Sequence, residues 1–83
     1  MFFVYILWSE KLQKFYIGST QDLQARVAYH NSGNVTFTST GIPWVIVYSE
    51  ALNSRQEAIL RERQIKGWKS AKAIKKLIET RLV

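Results

Sequence analysis

Apolar blocks alternate with polar punctuation along the chain, and the pattern of each block indicates its element. Phe2 to Trp8 reads "FFVYILW", aromatic and branched with no clearly polar position, as expected of a strand buried on both faces. "SEKLQK", Ser9 to Lys14, is polar and turn-like, and "FYIGS", Phe15 to Ser19, resumes the strand pattern, so the two pieces predict a β-hairpin. Ser19 or Thr20 is expected to cap the following helix, with Asp22 near its positive end. That helix runs to about Asn31, where Asn31, Ser32, Gly33 and Asn34 break it. "VTFTSTGIP", Val35 to Pro43, reads as loop with a short extended piece, and "WVIVYSE", Trp44 to Glu50, as a third strand apolar on both sides. Ser54 and Glu57 fit a capping box opening a second helix to Gly67, and Ser70 caps a third, "AKAIKKLIETRL", Ala71 to Leu82. The order β-β-α-β-α-α predicts an α+β fold, a three-stranded antiparallel sheet flanked by three helices.

Composition narrows the class. A length of 83 residues, 47% of them hydrophobic, predicts one domain over 1–83 with a core just large enough to fold unaided. The absence of cysteine removes disulfides, thiol catalysis and thiolate metal sites together. No apolar run approaches the roughly 20 residues that cross a bilayer. The apolar start lacks the basic leader and small-residue cleavage site of a signal peptide, so the expectation is cytoplasmic. Of the 12 basic residues, only Lys11, Lys14 and Arg26 precede Ser54; the other nine follow it, against three acidic ones. The net charge of +6 therefore sits in the last thirty residues, which suits either a polyanionic partner or a solvated helical surface. Lys66, Lys69, Lys72, Lys75 and Lys76 are the candidate nucleic-acid contacts.

On a wheel of about 100° per residue, Leu23, Val27 and His30 share the side of the first helix that packs on the hairpin, with Arg26 at its edge. This draws Arg26 and the only histidine toward the strand carrying Tyr16. A helix start after a glycine with a basic residue one turn on can receive a phosphate. Alternatively, Gly18 only eases a turn, Arg26 lies along the surface and His30 is structural. In the second helix Glu62 falls within the apolar arc of Ala58, Ile59 and Ile65, where a carboxylate is costly unless paired or bound to a cation. A salt bridge to Arg26 or another base, or a helix rotated to bring Leu60 and Trp68 inward, would also account for it. One histidine and no cysteine argue against zinc, whereas a hard cation held by one carboxylate, waters and phosphate remains open. No P-loop or dinucleotide fingerprint occurs.

"FVY" (Phe3 to Tyr5), "YIG" (Tyr16 to Gly18), "STQDLQARVAYH" (Ser19 to His30) and "EAILRERQIKGW" (Glu57 to Trp68), in this order and spacing, resemble the GIY-YIG nuclease superfamily and its small stand-alone bacterial branch. The resemblance implies metal-dependent cleavage of DNA phosphodiesters, branched or structured DNA included, at a single Mg²⁺ or Mn²⁺. Under it Tyr16 activates the attacking water with Tyr5 alongside, Arg26 offsets phosphate charge, His30 orients or shares a proton with a tyrosine, and Glu62 holds the metal. A free phenol has a pKa of about 10, so nearby positive charge from Arg26 and the cation is expected to help it. The first motif departs from the family's pattern, with Phe3 in place of glycine and Val4 in place of isoleucine. Asn31 and Asn34 lie near the motif without an assigned part. Two other readings stand beside the nuclease: a nucleic-acid-binding module that keeps the fold without turnover, and a protein-interaction domain whose basic helices meet an acidic partner.

Overall fold

The computed structural model describes residues 1–80 of the chain. Strands β1 (Phe2–Ser9), β2 (Lys14–Thr20) and β3 (Trp44–Leu52) form one sheet of order β2-β1-β3, both pairings antiparallel. Helices α1 (Leu23–Asn31), α2 (Arg55–Gly67) and α3 (Ala71–Glu79) complete the expected α+β order. The end of the third helix expected to reach Leu82 lies outside the described residues; within them α3 closes with Thr80 as its C-cap.

Only β1 has a neighbour on each side and a layer over each face, which is why its sequence carries no polar position before Ser9. Val4 and Ile6 point to one face, packing with Ile17 and Tyr48 against Ala58 and Ile65 of α2 and Ile74 of α3. Tyr5 and Leu7 point to the other, with Trp44, Leu23, Val27 and Ile42. The strand thus divides two small cores. The third strand, read as apolar on both sides, lies at an edge of the sheet, and Val45 is 50% exposed. Its register slips where Ile6 faces Tyr48 but Leu7 faces Ile46, leaving Val47 as the extra residue of a bulge.

The helix starts follow short polar signals. Ser54 accepts from the Glu57 amide (3.1 Å), while the Glu57 carboxylate reaches the Asn53 amide rather than that of Ser54. Ser70 caps α3 through the Ala73 amide (3.1 Å). The cap of α1 differs from expectation: Ser19 and Thr20 finish β2, and Asp22 is the N-cap, accepting from the Ala25 amide at 3.1 Å. Thr20 holds it there by accepting from the Asp22 amide (3.1 Å). At the other end Asn31 donates to the Trp44 carbonyl (2.9 Å) and accepts from the Trp44 amide (2.7 Å), pinning α1 to the start of β3. Asn31 is thereby a structural tie.

Candidate active site

The phenol of Tyr5 is built into the hairpin. Tyr5 pairs with Gly18 across β1 and β2, and a Cβ at Gly18 would overlap the Tyr5 hydroxyl and lie 2.6 Å from Cζ. Gly18 is not a turn residue: it sits within β2 and leaves the space that the Tyr5 ring occupies. Tyr5 is 1% exposed, so its hydroxyl needs internal partners.

His30 supplies one. The inward face of α1 buries it, as the wheel predicts, and Nε2 lies 3.1 Å from the Tyr5 hydroxyl. Nδ1 lies 3.0 Å from the hydroxyl of Thr38, itself wholly buried. Thr38 can give its own proton to the Val35 carbonyl (3.4 Å) and accept from Nδ1–H, and Nε2 is then the acceptor for Tyr5. Burial, and secondarily the charge of Arg26, hold His30 below its ordinary pKa, so the imidazole is kept neutral.

Arg26 stands over the Tyr29 ring at 5.5 Å, and its guanidinium also approaches the Tyr5 hydroxyl, an interaction that raises the arginine's own pKa. For Tyr5 burial outweighs this help: its pKa is raised, with Arg26 pulling it back and Tyr16 and Glu62 adding to the rise. Arg26 by itself therefore does not ready the Tyr5 phenol for ionisation. Tyr16 is half-buried, its ring 4.8 Å from that of His30 and 6.5 Å from that of Tyr5, and its hydroxyl makes no hydrogen bond among the described residues.

Glu62 arrives from the opposite half of the chain. Ala58 and Ile65 turn α2 against the sheet, Leu60 stays 57% exposed, and Glu62 flanks the buried stripe with its side chain 21% exposed. Its carboxylate is held by Lys66 at 2.6 Å, one turn on, and it stands close enough to Tyr5 to disfavour the phenolate. A groove of about 390 Å³ joins the start of α1 to α2, with Ser19, Asp22, Arg26, Arg55 and Ala58 along it. Neither Glu62 nor the phenols line this groove; Glu62 reaches the first half of the chain through its field at Tyr5.

Among the described residues no three of His, Cys, Asp and Glu come together as a metal cage. With both nitrogens of His30 engaged, the carboxylate that acts on Tyr5 is that of Glu62, whose partner in this structure is Lys66. One carboxylate open to water suits a hard, hydrated cation such as Mg²⁺ or Mn²⁺ and not a cation that needs a full protein shell. The residues fit that kind of metal.

The lysines are not gathered at this site. Lys66 pairs with Glu62. Lys69 and Lys75 line a different groove with Trp8, Lys14 and Phe15, on the sheet face that α3 covers, and Lys76 lies beside Trp68. Lys72 is exposed on α3. Sequence reasoning missed Thr38 and Arg55. Thr38 sits in a loop without periodicity and Arg55 in the first turn of a helix, so neither carried a signal.

The GIY-YIG catalytic domain matches residues 1–76. A UPF0213 protein of Staphylococcus haemolyticus is 37% identical over 78 residues, covering 93% of this chain and 94% of that one. A UPF0213 protein of Staphylococcus saprophyticus is 32% identical over 65 residues (77% and 79%), and one of Streptococcus pneumoniae 36% over 53 residues (63% and 54%). No solved structure matches. Among the described residues no helix is long and apolar enough to cross a membrane. With a nuclease-type fold and a full-length likeness to a small stand-alone bacterial family, the chain belongs to the GIY-YIG family, in its UPF0213 branch.

Proposed function

We propose that this protein is a divalent-cation-dependent DNA endonuclease. The observation that carries the reading is the Tyr5 hydroxyl, 3.1 Å from a neutral, buried His30 and approached by Arg26 on α1 and by the field of Glu62 on α2. That is a proton acceptor, a phosphate-binding cation and a metal-binding carboxylate around one reactive point.

Hydrolysis needs the water to lose a proton as its oxygen bonds to phosphorus and the opposite P–O bond breaks. In this reading the water gives its proton to the half-buried Tyr16 oxygen as Tyr16 passes its own to Tyr5 and Tyr5 passes its own to His30 Nε2, so no free phenolate is required. Thr38 steadies the resulting imidazolium by accepting from Nδ1–H. Tyr16, with no other hydrogen bond, orients the water from the side of His30. Arg26 binds the phosphate, and Arg55, along the same groove, takes the neighbouring one. A cation held by Glu62 would offset charge on the phosphate and the leaving oxygen. Lys66 then serves as the resident counter-ion that such a cation displaces, free afterward to meet DNA. Lys69, Lys72, Lys75 and Lys76 supply sequence-independent attraction to the polyanion.

The test is direct. Purified protein with single-stranded, duplex and branched DNA and Mg²⁺ or Mn²⁺ should cut at least one substrate, and Glu62→Gln or His30→Ala should abolish cutting. No cleavage of any substrate, or cleavage untouched by Glu62→Gln, refutes the reading. The Lys66–Glu62 ion pair favours the second reading, a binding module without turnover. It predicts salt-sensitive DNA binding that Tyr16→Phe and Glu62→Ala leave unchanged.

A further inference from the structure

Phe37 is 81% exposed, more than any other large apolar side chain among the described residues, and it adjoins Thr38, which is not exposed at all. A loop aromatic free to move would fold onto nearby apolar surface and lose its contact with water. Here the backbone that carries the ring is tied down by hydrogen bonds. The Thr38 and Ser39 amides both donate to the Val35 carbonyl (3.1 and 3.0 Å), and the Ser39 hydroxyl donates to that of Thr36 (2.9 Å). The Thr38 carbonyl accepts from the Gly41 amide (3.0 Å) and the Trp44 indole (2.7 Å), and its hydroxyl meets His30. The same residue that orients His30 therefore fixes where Phe37 stands.

The ring stands beside the candidate active site. Its centroid is 6.2 Å from that of Tyr16, which is 4.8 Å from His30. No partner covers its outer face. An exposed, uncharged aromatic one ring out from Tyr16, at the edge of the tyrosine–histidine cluster, matches one ligand chemistry, a nucleobase with a free π-face. A base inside a duplex has both faces covered by its neighbours. An unpaired base does not.

We propose that Phe37 is a stacking platform for an unpaired nucleobase next to the phosphodiester held at Arg26. The preferred substrate is then single-stranded or locally unpaired DNA. This rests on the nuclease reading and adds the substrate class to it. Phenylalanine has no hydrogen-bonding group, so the platform selects an unpaired base without selecting its identity.

The test uses the full chain in EDTA, so that binding is read without cleavage. The probes are a single-stranded oligonucleotide carrying 2-aminopurine and its fully paired duplex. Wild-type protein should quench 2-aminopurine on binding the single strand. Phe37→Ala should abolish the quench and weaken single-strand affinity by roughly 5- to 150-fold, the range of one lost base–aromatic stack. Duplex affinity should change by less than about two-fold, and Phe37→Trp should restore both the quench and the affinity. Because the side chain is exposed, the thermal midpoint of Phe37→Ala should match wild type. A Phe37→Ala protein with wild-type affinity and quench overturns the platform while leaving the nuclease reading standing. Equal losses on single strand and duplex overturn it too. A wild-type protein that binds neither probe at low salt defeats both readings.

Discussion

Tyr5 lies across Gly18, and its ring fills the volume that any side chain at that strand position would need. The glycine is required by its neighbour's ring and not by its own backbone conformation. Gly18→Ala should therefore cost about 1–3 kcal/mol, the range for overpacking a tight site, and should push the phenol away from His30. Urea unfolding measures the first effect. Loss of cleavage larger than the stability change explains would report the second.

Thr38→Val keeps the shape of the side chain and removes its hydroxyl. A buried His30 Nδ1 then has no partner, which costs roughly 1–3 kcal/mol. Thr38→Ser should restore most of it. The nitrogen-15 shifts of His30 should show the Nδ1–H form in wild type and a mixture of tautomers in Thr38→Val.

His30 is held below its ordinary pKa of about 6.5, so the unfolded chain binds the extra proton first. Its contribution to stability is complete above pH 6.5 and is lost as the pH falls through the folded-state value. The urea midpoint should decline below about pH 6.5, and a fold-competent His30→Gln protein should show a flatter decline there. Tyr5 works in the opposite sense. Its pKa is raised, so stability is complete below about pH 10 and declines as the pH rises through the folded-state value; Tyr5→Phe should remove that limb.

Glu62 and Lys66 form a partly exposed i,i+4 pair, worth no more than about 1 kcal/mol. Glu62→Gln should leave the unfolding midpoint within that margin while lowering divalent-dependent cleavage by 100-fold or more, on the order of a lost catalytic metal contact. EDTA should have the same effect on the wild type. A Glu62→Gln protein that cuts at the wild-type rate would remove the carboxylate from the mechanism.

Asn31→Ala breaks two hydrogen bonds that join α1 to Trp44, and a loss of about 1–3 kcal/mol is expected from chemical denaturation. Because Asn31 touches none of the reacting groups, the cutting rate of the folded fraction should hold near wild type.

The elements and their order were legible in the chain's local pattern, because each is a local matter. Unbroken apolar residues from Phe2 to Trp8 can only be satisfied by burial on both faces, and Ser54 and Ser70 cap helices through amides three residues on. The same pattern also put His30, Leu23 and Val27 on one face of α1, since that follows from helical period alone. Tertiary structure decided the rest. Strand order left β3 at an edge with Val45 half in water, and Asp22 became the α1 cap once β2 had claimed Ser19 and Thr20. The partner of Glu62, the hold of Thr38 on His30, and the exposure of Phe37 depend on which segments meet across the sheet, and no local period encodes that. Burial likewise set the protonation of Tyr5 against Arg26, because the cost of removing a phenol from water depends on everything packed around it.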